Sequence, residues 1–216
     1  MKQIIFLLLI LPFHAFSQAA GAPNAENEYR FKYHSWLSIR DTLSGLPLLN
    51  LMNIEIELQG FTNGKITYME GNILNEGLVS ATSFADRYIF DLHHQTVFIL
   101  LPDDHIKEVY RLRPVEFHPV EQIQIVDVNG MKCHQIKVSN SIVSLCDTLP
   151  QSINPGYWLT GYTGGLAQVD KSSGKNVSST RLIKWEQTDV DLTKYEKLVS
   201  DYGKVPDNVP VISLFD

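Results

Sequence analysis

Two strand-like segments, Met131 to Val138 and Ser141 to Thr148, flank the dipeptide Ser139-Asn140, and each carries one cysteine. A two-residue turn at Ser139-Asn140 sets the register of the whole hairpin. Val138 then faces Ser141, Ile136 faces Val143, and Cys133 faces Cys146. Hydrogen-bonded and non-hydrogen-bonded pairs alternate away from the turn. The cysteines fall on a non-hydrogen-bonded pair, where Cα atoms lie about 4.5 Å apart. A disulfide can close at that separation. The spacing therefore predicts a Cys133–Cys146 staple, worth about 2–3 kcal/mol at this loop length. Ile136, Val138, Val143 and Leu145 share one face of the hairpin. Cys133, Gln135, Lys137, Ser144 and Cys146 share the other, less apolar face, so the staple is expected there. The pair lacks the C-x-x-C spacing and the helix start of a reactive dithiol.

The same period of two recurs along the chain. Tyr29, Phe31 and Tyr33 alternate with Arg30, Lys32 and His34, and Ile54, Ile56 and Leu58 with Glu55, Glu57 and Gln59. Gly60 to Gly64 turns the second of these back into Lys65 to Glu70. Tyr88 to Asp91 and Thr96 to Leu101 flank a His93-His94-Gln95 turn, and Glu108 to Leu112 reads as strand or short helix. Asn129-Gly130, the strongest short turn signal, joins Gln122 to Val128 to the cysteine hairpin as a meander. A last hairpin spans Leu166 to Glu186. Leu192 to Tyr202 has a helical period: Asp191 can cap it, Tyr195, Leu198, Val199 and Tyr202 share a face, and Gly203 stops it. The fold class is mainly β (α+β): one antiparallel sheet of about nine or ten strands with one or two helices. The expected domain covers 28–203, followed by a tail at 204–216 whose Val209 to Phe215 is apolar and needs something to pack on.

The first seventeen residues read as a leader. Met1-Lys2 is a basic start, Ile4 to Leu11 an unbroken apolar run, and Ala15-Phe16-Ser17 a small-residue cleavage site before Gln18. The run is far shorter than the roughly 20 residues of a spanning helix. No later segment is long and apolar enough to span a bilayer. The expectation is a secreted or periplasmic protein beginning with a disordered 18–27 lead-in, in a compartment that permits the disulfide. The whole chain of 216 residues carries a formal charge of −6, and loss of Lys2 with the leader makes it −7. An acidic surface without basic clusters argues against nucleic acid as a partner.

No constellation commits the chain to chemistry. Asp91 and His93 are the best local pair for a metal-assisted hydrolase, yet zinc needs three or four protein ligands and no third is set by spacing. There is no G-x-S-x-G nucleophile elbow. Gly161 to Gly165 lacks the Lys-Ser/Thr ending of a phosphate loop. The expectation is no catalytic residue, no metal and no cofactor. Aromatic side chains on such a sheet could instead wall an apolar cavity: Phe61, Phe84, Phe98, Trp158, Tyr162 and Trp185.

Three further stretches carry a resemblance. Gly64-Lys-Ile-Thr-Tyr-Met-Glu-Gly71, Tyr88 to Leu92 and Val97 to Pro102 come in the order seen in exported bacterial proteins of unknown function with a fold like the LolA lipoprotein carriers. Val128-Asn-Gly-Met-Lys-Cys133, Val143 to Pro150 and Gly164-Gly-Leu-Ala-Gln168 are similar to a second pattern of those families. The resemblance covers Ile66 to Lys184 and departs at Cys146, where such proteins often carry a large residue. It implies a curved half-barrel with a helix or loops across its concave face. It also implies an apolar ligand there, such as a lipid or lipoprotein acyl chain, or a cell-envelope protein as partner.

Overall fold

The computed structural model describes residues 28–39, 52–74, 87–113, 115–116, 122–154, 159–160, 162, 164–173 and 176–212. The leader, the lead-in, Phe84 and Trp158 lie outside the described residues. Six strands run in succession: β1 (Tyr29–Ile39), β2 (Met52–Thr62), β3 (Ile66–Ile73), β4 (Arg87–Asp91), β5 (Thr96–Leu100) and β6 (Ile106–Leu112). After the short β7 (Val115–Glu116) come β8 (Gln122–Val128), β9 (Met131–Val138), β10 (Ser141–Pro150), β11 (Leu159–Thr160), β12 (Gly164–Ser173) and β13 (Asn176–Gln187). Helix α1 (Thr193–Tyr202) and β14 (Val211–Ile212) complete the order.

Twelve strands form one open sheet in the order β14-β6-β5-β4-β3-β2-β1-β13-β12-β10-β9-β8. It is two antiparallel meanders, β1 to β6 and β8-β9-β10-β12-β13, joined where β1 pairs with β13 from Tyr29↔Gln187 to Ile39↔Asn176. The expected nine or ten strands are too few: the ambiguous Glu108 to Leu112 segment is strand β6, and the rest of the excess lies in β7, β11 and β14. Each is two residues long, too short to show any period, and β7 pairs with β11 as a separate parallel ribbon. The described part of the apolar tail seats on the sheet edge: β14 lies parallel to β6, with Arg111 N–H donating to Pro210 O and Arg113 N–H to Ile212 O.

The cysteine hairpin has the register derived from its turn, with Val143 opposite Ile136 and Leu145 opposite His134. Cys133 and Cys146 are disulfide-bonded with Cα atoms 4.1 Å apart. Their face is not the wetter one at this end. Both cysteines are 0% exposed and belong to the main core with Phe31, Tyr33, Phe90 and Leu182, while Lys137 on the same face is exposed. The reason is curvature. The Tyr33 hydroxyl donates to Leu166 O in β12, two strands from its own. Asn129, in the β8–β9 turn, donates from Nδ2 to Leu182 O in β13 at 2.5 Å. Only a second meander bent over the main-core face brings these groups together, as in a half-barrel.

That bend requires close backbone contact at Gly164, where β10 and β12 change register between Cys146 and Pro150. A Cβ on Gly164 would lie 2.3 Å from the Cys146 carbonyl oxygen. Backbone cannot rotate away as a flexible side chain would. Gly164→Ala is expected to lower stability by about 1–3 kcal/mol, the range of overpacked sites. An unchanged urea midpoint would show that β10 and β12 are not tightly apposed.

Candidate functional site

Successive strand residues face opposite sides of a sheet. In β3 to β5, Met69, Phe90 and Val97 therefore enter the main core, and Tyr68, Ile89 and Phe98 face the other way. Register places Phe61, Tyr68, Ile89, Phe98 and Val109 in one row across five strands. Helix α1 covers this row. Tyr195 stacks on Tyr68 with centroids 4.2 Å apart, Tyr202 meets Phe98 edge-on at 5.3 Å, and Leu192, Leu198 and Val199 pack beside them. The helix thus lies opposite the main core, not across the concave side, which the core side chains fill. Asp191 Oδ1 accepts from Thr193 N–H at the start of the helix, and Gly203, at φ 73°, ends it.

Polar tethers hold α1 down. Asn63 Nδ2 donates to Glu196 Oε1 at 2.7 Å, and Lys194 pairs with Asp104, which also pairs with Arg87 at 2.9 Å. The Lys194 ammonium, then the Arg87 guanidinium, hold the Asp104 carboxyl below the usual carboxylate range. Burial, with hydrogen bonds to Tyr195 and Glu70, pushes the Tyr68 hydroxyl well up, so it stays neutral.

The adjacent row on the same face is more polar: Ile66, Asp91, Thr96 and Arg111 stand opposite one another in β3 to β6. Here the last turn of α1 overhangs the sheet and leaves an open cleft of about 840 Å³. Ile66, Phe98, Leu112, Val199 and Val205 supply its apolar lining. Asp91, Thr96, Arg111, Lys65, Lys204 and Glu196 supply polar groups. Its volume falls in the roughly 300–1,000 Å³ range of small-molecule sites.

Asp91 is buried and fully used. Its Oδ1 accepts from His93 N–H and His94 N–H, each at 3.0 Å, and Oδ2 lies 2.7 Å from His94 Nδ1. This caps the β4–β5 turn. His93 lies in the exposed turn, past the end of β4, so it does not share a strand face with Asp91. Among the described residues no group of three His, Cys, Asp or Glu side chains could hold a metal ion. Thr96 is different. It is 1% exposed, and its Oγ1 is the one buried side-chain polar atom among the described residues with no hydrogen-bond partner.

Of the aromatic candidates, Phe61 and Phe98 share the α1 cluster, at opposite parts of one row, and only Phe98 lines the cleft. Trp185 packs against the main core beside Tyr29, with centroids 5.9 Å apart. Tyr162 packs on a third cluster around Ile136 and Val143, its hydroxyl donating to Asp147 Oδ1 at 2.6 Å. The four aromatics among the described residues therefore do not share one cavity. Thr96, Arg111, Val199 and Lys204 were not legible as site residues. The one available signal was Thr96 itself, a polar residue on the same strand face as Phe98 and Leu100.

No protein-family model matches this chain, and no curated protein matches it. Solved structures do. A DUF1329 family protein from Desulfovibrio piger superposes with a TM-score of 0.36 at 7% identity, covering 80% of this chain and 90% of that one. A LolA superfamily protein from Nitrosomonas europaea gives 0.35 at 6% identity, covering 78% and 89%. The chain is similar to these proteins. An outer-membrane lipoprotein-sorting domain from Vibrio parahaemolyticus gives 0.33 at 8% identity, covering 80% and 90%. At such identities the likeness does not reach individual side chains. Among the described residues, no helix is long and apolar enough to cross a membrane.

Proposed function

We propose that this is an exported binding protein that holds a lipid-like, amphipathic ligand in the cleft beside α1. The carrying observation is the cleft itself: an apolar lining from Ile66, Phe98, Val199 and Val205, next to the polar row Asp91, Thr96 and Arg111. Such a surface suits a molecule with an apolar body and a polar end. The Cys133–Cys146 disulfide and the 1–17 leader support export to an oxidising compartment. The seat is the α1 cleft and not the concave face, because that face is occupied by the protein's own core.

Native mass spectrometry of protein from an exported fraction, before and after solvent extraction, tests this. The expected result is a bound species of defined mass, lost on extraction, on a chain beginning at Gln18 and two hydrogens lighter than the dithiol. Val199→Glu, which places a charge on the cleft wall, is expected to remove the bound species. Its retention in that variant would place the ligand elsewhere. Bare protein would favour the second reading, an envelope-protein adaptor. That reading is supported by Ile125, 64% exposed on β8, which ends the strand order.

A further inference from the structure

We infer that the polar end of this ligand is anionic, so that the cleft selects a single-chain amphiphile with a carboxylate or phosphate head. The inference rests on the α1 cleft being the binding site and follows from which lining charges are already committed. Both lining carboxylates accept hydrogen bonds. Asp91 accepts two backbone N–H groups and faces His94, and Glu196 accepts from Asn63. The Arg111 guanidinium donates to Asp207 Oδ1 at 3.1 Å and to Val205 O at 3.3 Å, which ties the segment after α1 to β6. Lys65 and Lys204 remain. Both line the cleft, and neither has a side-chain ion pair or hydrogen bond among the described residues.

The lining carries three cationic side chains, Lys65, Arg111 and Lys204, against two carboxylates, Asp91 and Glu196, a formal +1 in a chain whose formal charge is −6. Thr96 adds a hydroxyl that lacks a protein partner. An unpaired buried hydroxyl destabilises the protein that carries it. Such a local cost is expected where a polar group is kept for binding. A cleft that holds an unpartnered hydroxyl and two ammonium groups suits an oxyanion. A cationic head would meet the ammonium groups of Lys65 and Lys204, and a neutral head would gain no ion pair from them.

The test is fluorescence titration of the mature protein with cis-parinarate, followed by displacement with dodecanoate, dodecyl phosphate, dodecanol and dodecyltrimethylammonium. The anionic competitors are expected to act at about tenfold lower concentration than the other two, a difference of about 1.4 kcal/mol. Whichever anion is stronger identifies the head. The double variant K65A/K204A is expected to weaken parinarate binding about fivefold to tenfold, as two exposed charges can. Thr96→Val is expected to weaken binding while raising the unfolding midpoint, a combination that a purely structural threonine would not produce. Equal displacement by dodecanol, or unchanged affinity in both variants, would overturn the anionic head and leave the cleft standing. No parinarate binding, and no displacement by any competitor, would remove the cleft reading as well.

Discussion

Phe98→Ala is expected to destabilise the protein by about 3–5 kcal/mol, the range for a deeply buried phenylalanine. Phe98 is 1% exposed, stands between Ile89 and Val109 in its row, and meets the edge of Tyr202. The void could be closed only by α1 sinking onto the sheet. The helix is held at its height by Lys194–Asp104 and Asn63–Glu196, and by Tyr195 stacked on Tyr68. Relaxation is therefore limited, and the cost should sit high in the range. Phe61→Ala, at the half-buried end of the same row, is expected to cost less than half as much, in keeping with its smaller burial. Urea unfolding followed by circular dichroism compares the two. Equal losses would mean that α1 does not seal a packed core.

Removing the disulfide is the second large effect. The double variant C133A/C146A is expected to lose about 3 kcal/mol from unfolded-state entropy alone, for a loop closed across 13 residues. The lost sulfur packing adds to this, because both cysteines lie fully inside the main core. The same burial shields the bond from reductant. Dithiothreitol is expected to reduce it slowly in the folded protein and quickly in the unfolded one. The measurement is the thermal midpoint of oxidised, reduced and C133A/C146A protein. Rapid reduction without denaturant would show that the staple is reached from solvent and is not core.

The local half of this architecture was readable in the residues. Asn129 and Gly130 both adopt positive φ, at 54° and 81°, as the hairpin turn they announced requires. The cysteine register followed from counting outward from Ser139-Asn140, and the helix from Asp191, its apolar period and Gly203. Each of these is a contact between near neighbours, where turn chemistry and side-chain period leave few alternatives. Glu108 to Leu112 was ambiguous because Lys107, Glu108 and Arg111 interrupt the alternation, and the strand forms by pairing with β5.

What the sequence by itself determined was the set of hairpins, their faces and the cysteine pairing. The tertiary structure decided which face became the inside. Alternation sorts residues into two sets but does not say toward which set a sheet will bend. The bend depends on contacts between segments far apart in the chain, such as Tyr33 with Leu166, Asn129 with Leu182 and β1 with β13. Those contacts placed the cysteines in the core and α1 on the opposite face. They also placed Thr96, Arg111, Lys65 and Lys204 around one cleft, from separate strands and a helix end that no spacing along the chain connects.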